Sequence, residues 1–256
     1  MILNKGFDNS NLKQGNIINF PIERGETQKN VNRKVLEYIT KKFDRRQVFT
    51  SLDLPCGSGL FIAYLNKLFP GSTIVGADIQ KPSGETAYRH MHMDLSKDFL
   101  LQPEEKFDLI TSISGIMMFG NTSNFIANCV RHLKNGSTFI ITNDNFRTIK
   151  DKLSLLFLGK DRLFKLIYED SEEVTQQVPI QELCRLLRIN GLTIEKIEYT
   201  SMYVKDLIYL PIAILTYPIQ LIYIWRYKTA LTSLKWTMFP FRHYFCKHYI
   251  IYTTKA

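Results

Sequence analysis

The feature that most constrains this 256-residue chain is a turn. The run Val48 to Leu54 is apolar and rich in β-formers, ends in Pro55-Cys56-Gly57-Ser58-Gly59, and passes directly into LFIAYLNKLF, whose apolar spacing is helical. A buried strand that enters a helix through a glycine turn predicts an α/β sheet, because the helix then returns across the sheet face to start a parallel neighbour. The rest of the sequence keeps that rhythm. Val31, Val35, Leu36, Ile39 and Phe43 mark an entry helix, and STIVGADI, RHMHMDL, FDLITSIS and STFIITN read as strands two to five. Residues 124–133 read as a helix closed by Asn135-Gly136, and VPIQELCRLLRINGL as a helix with Pro179 in its first turn and Asn190-Gly191 at its end. LTIEKIEYT and HYIIYTTK complete seven strands. The expected fold is one doubly wound, mostly parallel, Rossmann-like α/β domain over residues 1–256, with its ligand at the carboxyl ends of the strands.

Composition excludes other classes. An apolar fraction of 45% with 22% charged residues is that of a chain with a core, not a disordered or fibrous one. Cys56, Cys129, Cys184 and Cys246 form neither a CxxC pair nor a cluster at zinc spacing, so reduced thiols and no metal site are expected. The opening MILNKGFDNSNLKQGN lacks the apolar core of an export signal, which predicts a cytoplasmic chain. The net charge of +9 is uneven: Tyr203 to Ala256 holds seven cations and one anion, a local +6 in the most aromatic and apolar stretch. That pairing fits an anionic membrane surface better than nucleic acid, because the cations are interleaved with Ile, Leu, Tyr, Trp and Phe.

The turn also narrows the ligand. Gly57-Ser58-Gly59 is followed by Leu60-Phe61-Ile62, so the third glycine of a dinucleotide fingerprint is missing, and no GK[ST] phosphate loop follows. Three strands end in a carboxylate, at Asp53, Asp78 and Asp94. LDLPCGSG, with Asp78 at the end of the second strand, is similar to the first motif of class I S-adenosylmethionine-dependent methyltransferases, in the variant where proline replaces the first glycine. The resemblance runs from about Val31 through strand five and more loosely to the end. It implies the seven-stranded methyltransferase sheet and S-adenosylmethionine as cofactor. By the same resemblance Asp53 and Pro55, Cys56, Gly57, Ser58 and Gly59 would hold the amino acid end, and Asp78, beside Ile79, would accept the ribose hydroxyls. Asp94 and Leu95 would sit beside the adenine, and Ser112, Ile113 and Ser114 would line the methionine part.

Methyl transfer from a sulfonium asks for positioning more than for acid–base chemistry. Asp144, between Asn143 and Asn145 just past strand five, and His243 are the candidates for a general base, with His248 a further titratable group; the bland readings are a loop residue, part of a basic interfacial face and a strand residue respectively. Cys56 reads as a small buried thiol. Strand four ends TSIS and not in the NPPY-like motif of enzymes that methylate planar amine nitrogens, which counts against a nucleobase acceptor.

Two segments depart from the alternation. Residues 146–170 read as a basic, aromatic helical cap. Residues 204–246 form an apolar, basic insertion before the last strand, with 19 uncharged residues between Asp206 and Arg226. That length approaches the roughly 20 residues of a membrane span. Pro211 and Pro218 interrupt it, however, and a single crossing would strand the last β-strand away from its sheet. The expectation is a surface-dipping cap, with a lid or dimer interface as the alternative, and an acceptor that is hydrophobic or lipid-linked, methylated at a hydroxyl or, less readily, at carbon. An inactive membrane-bound interaction protein and an RNA methyltransferase are the competing readings.

Overall fold

The computed structural model describes residues 18, 20–82, 87–99, 101, 105–162, 164–169 and 176–256. The opening read over residues 1 to 16, and positions 163 and 170 of the cap, lie outside them. In chain order the elements are α1 (Val31–Lys42), β1 (Thr50–Asp53), α2 (Leu60–Leu68), β2 (Thr73–Asp78), β3 (Arg89–His92) and β4 (Phe107–Ser112). They continue with α3 (Thr122–Arg131), β5 (Leu133–Asp144), α4 (Ile149–Leu158), α5 (Ile180–Ile189), β6 (Leu192–Thr200), α6 (Leu210–Arg226), α7 (Thr232–Met238) and β7 (His248–Lys255).

The strands form one sheet of order β3-β2-β1-β4-β5-β7-β6. The first five pair in parallel, whereas β7 runs antiparallel to both β5 and β6. Chain direction reverses sideways between β1 and β4, and a crevice opens there at the carboxyl ends. Alternate strand residues feed two cores. Leu52, Val75, Ile110, Phe139, Ile141 and Ile251 pack with α3 and α5 on one face. Ile74, Leu109, Ile140, Ile250 and Tyr252 pack with α1 and α2 on the other.

Three local expectations are corrected. Asn135-Gly136 does not cap a helix: α3 already ends at Arg131, and these residues lie in the irregular start of β5, where Gly136 takes φ 72° and the register with β4 shifts. Pro179 sits just before α5, with φ −62° and ψ 145°, not inside its first turn. Pro218 does not break the apolar run, because α6 continues through it to Arg226; the missing N–H leaves one carbonyl of the helix without its usual donor.

The segment between β6 and β7 leaves and re-enters the sheet at one place, since Thr200 and His248 are register partners. It folds with α4 into a lobe whose small core is Ile149, Ala213, Tyr244 and Phe245. Of the 17 residues of α6 only Ala213 and Ile224 are buried. The stretch Val204–Arg226 is long and apolar enough to cross a membrane, yet both ends of the insertion return to the same edge of one sheet.

Candidate active site

A cavity of about 600 Å³ fills the crevice at the ends of β1, β2 and β4, within the size range of small-ligand sites. Of the expected residues, Asp53, Pro55, Cys56, Gly57, Ser58, Asp78, Ile79, Asp94, Leu95, Ile113 and Ser114 line it. Gly59 and Ser112 do not. Gly59 instead starts α2 with φ 75°, and a Cβ there would come within 2.4 Å of the Tyr88 hydroxyl. Ser112 is wholly buried in β4.

The turn and the second strand are tied to each other. The Gly57 N–H donates to Asp78 Oδ2 at 2.9 Å, and the Gln80 N–H donates to Oδ1 at 2.9 Å. Gly57 has φ 48°, the left-handed conformation that favours glycine, and a Cβ on it would lie 2.4 Å from the end of the exposed Glu26 side chain. Asp53 is 1% exposed and accepts from the Thr111 hydroxyl at 2.6 Å. Burial pushes its pKa up to about 7 against the pull of that hydrogen bond, with Asp78 adding repulsion. Asp94 is held the other way: hydrogen bonds from Ser96 and the ion pair with Lys97 bring it down to about 2. Burial pushes the Cys56 thiol up to about 12, which makes it a packed thiol and not a nucleophile.

The antiparallel register of β5 and β7 sets Asp144 opposite His248. His248 Nδ1 lies 3.0 Å from Asp144 Oδ1, and Nε2 lies 3.0 Å from Thr142 Oγ1 and 3.4 Å from Ser114 Oγ. The imidazole is fully buried, Asp144 is nearly so, and Ser114 stands at φ 60° in the cavity wall with its N–H on Thr142 Oγ1. Asp144 is therefore the end of a strand and not a loop residue. His243 lies apart: it is 2% exposed, with Nδ1 2.7 Å from the Pro240 carbonyl, and it lines a second cavity against α5, α6 and α7. Burial lowers its pKa to about 4.

Sequence reasoning missed the irregular segment before α1. Gly25, Glu26 and Thr27 line the cavity, and the Thr27 hydroxyl meets that of Ser114. No periodicity marks such a segment. Met118 and Phe119, in the short turn after β4, were missed as well. His248 carried a readable signal, a polar residue at the head of an otherwise apolar strand.

Residues 52–141 match the methyltransferase domain family. A ubiquinone biosynthesis O-methyltransferase from Chelativorans sp. (strain BNC1) is 29% identical over 149 residues, covering 55% of this chain. The chain thus spans little more than half, 57%, of that curated relative. Among solved structures, an O-methyltransferase of a trans-AT PKS multienzyme from Brevibacillus brevis, holding S-adenosyl-L-homocysteine, superposes with TM-score 0.52 at 19% identity over 87% of this chain and 72% of its own. A cyclopropane synthase from Mycobacterium tuberculosis gives TM-score 0.53 at 16% identity over 87% and 84%. At these identities the likeness is one of fold.

Proposed function

The chain carries a class I S-adenosylmethionine-dependent methyltransferase domain, and from that premise we propose that it methylates a hydroxyl of a hydrophobic or lipid-linked small molecule while resting on the cytoplasmic surface of a membrane. S-adenosylmethionine, the domain's cofactor, supplies an electrophilic methyl group on a sulfonium. The residues present fit it. The side-chain-free path of Gly57, the two-oxygen carboxylate of Asp78 at the end of β2, and a cavity of about 600 Å³ are what a nucleoside with an amino acid tail requires. Asp78 would take the ribose, the Pro55 to Gly59 turn and Asp53 the amino acid end, and Asp94, Ile79 and Leu95 the adenine side.

The chain's own acid–base chemistry lies on the other wall. A hydroxyl acceptor must shed a proton, and Ser114 offers a route from the cavity to the buried imidazole of His248. Asp144 fixes the ring and stabilises the positive charge that a proton on Nε2 creates. Thr27 and Thr142 keep the Ser114 hydroxyl and the ring in register.

One observation carries the membrane part. Leu156, Phe157 and Leu158 at the end of α4, and Ile214, Leu215, Ile219 and Trp225 on α6, are between 59% and 76% exposed. Apolar residues in that number on one lobe are an interaction surface, and the lobe's cations suit anionic headgroups. The test is transfer of tritiated methyl from S-adenosylmethionine to lipid extracts, polar extracts and RNA in parallel. Label in the lipid fraction alone is expected; label confined to RNA or to polar metabolites would contradict the reading.

A further inference from the structure

The second cavity, of about 520 Å³, shares no lining residue with the cofactor crevice. It lies between α5, α6, α7 and the start of α4, and its walls are of two kinds. Ile224, Leu231, Leu234, Met238 and Phe239 form an apolar side. Arg147, Lys152, Arg185, Arg188 and Lys235 also line it, and among the described residues no carboxylate does. Among the described residues only Arg185 of these five has a carboxylate partner, Glu182 at 2.5 Å. Lys152 sits 4.2 Å above the Tyr244 ring, and Lys235 donates to the Tyr227 carbonyl.

Arg147, Lys152, Arg188 and Lys235, which have no carboxylate partner among the described residues, repel each other across this space and are relieved by an anion that enters it. Arg147 and Arg188 favour an anion with several oxygens, because each guanidinium presents a fork of donors. The apolar wall requires that the same ligand bring hydrocarbon with it. The mouth gives the source of that hydrocarbon: Tyr223 and Tyr227 line the cavity while remaining 68% and 56% exposed, on the helix that also presents Leu215 and Ile219. A free soluble phosphate would use the cations and leave the apolar wall wet.

We propose that this cavity binds the phosphate headgroup of a membrane lipid, the tail staying in the bilayer beside α6. The inference rests on the membrane-surface reading above and adds to it a defined headgroup site. It is tested by co-sedimentation with neutral phosphatidylcholine vesicles carrying either phosphatidylglycerol or, at matched surface charge, oleate. Two variants are compared with the wild type: the cavity triple Arg147→Gln, Arg188→Gln, Lys235→Gln, and a control triple of cations that do not line it, Lys205→Gln, Arg226→Gln, Lys228→Gln.

The wild type should prefer the phosphatidylglycerol vesicles. The cavity triple should lose that preference and bind both anionic vesicles equally; the control triple removes surface charges worth about fivefold each, so it should weaken binding to both vesicles alike and keep the preference. Both variants should keep wild-type melting curves and S-adenosylhomocysteine affinity, because none of the six residues lines the crevice and all but the half-buried Lys235 are exposed. Loss of the preference in both triples, its survival in the cavity triple, or equal binding of the wild type to both anionic vesicles would reduce the cavity to diffuse surface charge and overturn the proposal. Inorganic phosphate bound by the wild type in solution as tightly as the vesicles would assign the cavity to soluble phosphates and overturn it too. A wild type that ignores every vesicle would overturn the membrane-surface reading itself, a result distinguishable from all the others.

Discussion

Replacing Leu215 and Ile219 together by serine separates the three occupants open to the lobe. Their side chains are 76% and 68% exposed, so serine removes almost no contact from the folded chain, and the change in folding stability should stay within about 0.5 kcal/mol, as for other exposed sites. At a membrane the same atoms are withdrawn from water. Full burial of a Leu or Ile is worth about 1.5 to 3 kcal/mol. Scaled by these exposures, the pair contributes roughly 2 to 4 kcal/mol to partitioning, or between about 30-fold and several hundredfold in the partition coefficient. The assay is vesicle co-sedimentation beside a thermal melt and light-scattering mass. A partition loss of that size with an unchanged melt and an unchanged mass is the expected result. A wild-type dimer that becomes a monomer in the variant would refute the reasoning in favour of a subunit interface. A melt lowered by several degrees would refute it in favour of a lid packed on the chain itself.

Further outcomes follow from the crevice. Asp144→Asn and His248→Gln should each lower kcat by about 10² to 10⁴ while leaving S-adenosylhomocysteine affinity within about twofold, because neither side chain lines the cavity; steady-state kinetics beside calorimetry reads the split. Gly57→Ala should weaken cofactor binding in the same titration, because a Cβ is strained at φ 48° and shifts the turn. Asp53→Asn should stabilise the chain above neutral pH. The folded carboxyl at about 7 holds its proton where the unfolded one, near 3.8, has lost it. The wild type therefore loses stability as pH rises from about 4 to about 7, on the order of 4 kcal/mol in all, and the asparagine variant should not. Melting curves at pH 5 and pH 8 test this: a wild-type excess over the variant at pH 8 would contradict the assigned direction.

The parallel half of the sheet was readable because its signals are local. Apolar runs, a glycine turn and the terminal Asp53 and Asp78 lie within a few residues of what they specify. The antiparallel half was not. HYIIYTTK reads as a strand from its alternation, but its direction is set by the path of some 45 residues before it, so nothing near His248 announced that it would stand opposite Asp144. That pairing turned a residue read as a strand member and another read as a loop member into one hydrogen-bonded unit. The segment Gly25 to Thr27 escaped for a different reason: it is irregular backbone held by its contacts, with Asn32 bonding the carbonyl of Arg24 and Thr27 meeting Ser114, and such contacts leave no periodic trace. Pro218 misled because the one hydrogen bond it removes was weighed too heavily against a 17-residue helix. His243, chosen for its titration range, is taken out of that range by burial, which no neighbouring residue reveals.

The central claim is that the crevice at the ends of β1, β2 and β4 holds S-adenosylmethionine with Asp78 on the ribose. Calorimetric titration of S-adenosylhomocysteine into the wild type and Asp78→Asn tests it directly. The asparagine keeps an oxygen for the Gln80 N–H but sets its NH2 against the Gly57 N–H, so a melting curve run beside the titration separates a change in the turn from a change in ligand contact. Loss of one charged acceptor for a ribose hydroxyl is worth about 1.5 to 3 kcal/mol, and the account predicts binding by the wild type that weakens about tenfold to a hundredfold in the variant. Folded wild-type protein that takes up no S-adenosylhomocysteine, or a variant that binds it equally well, would contradict it.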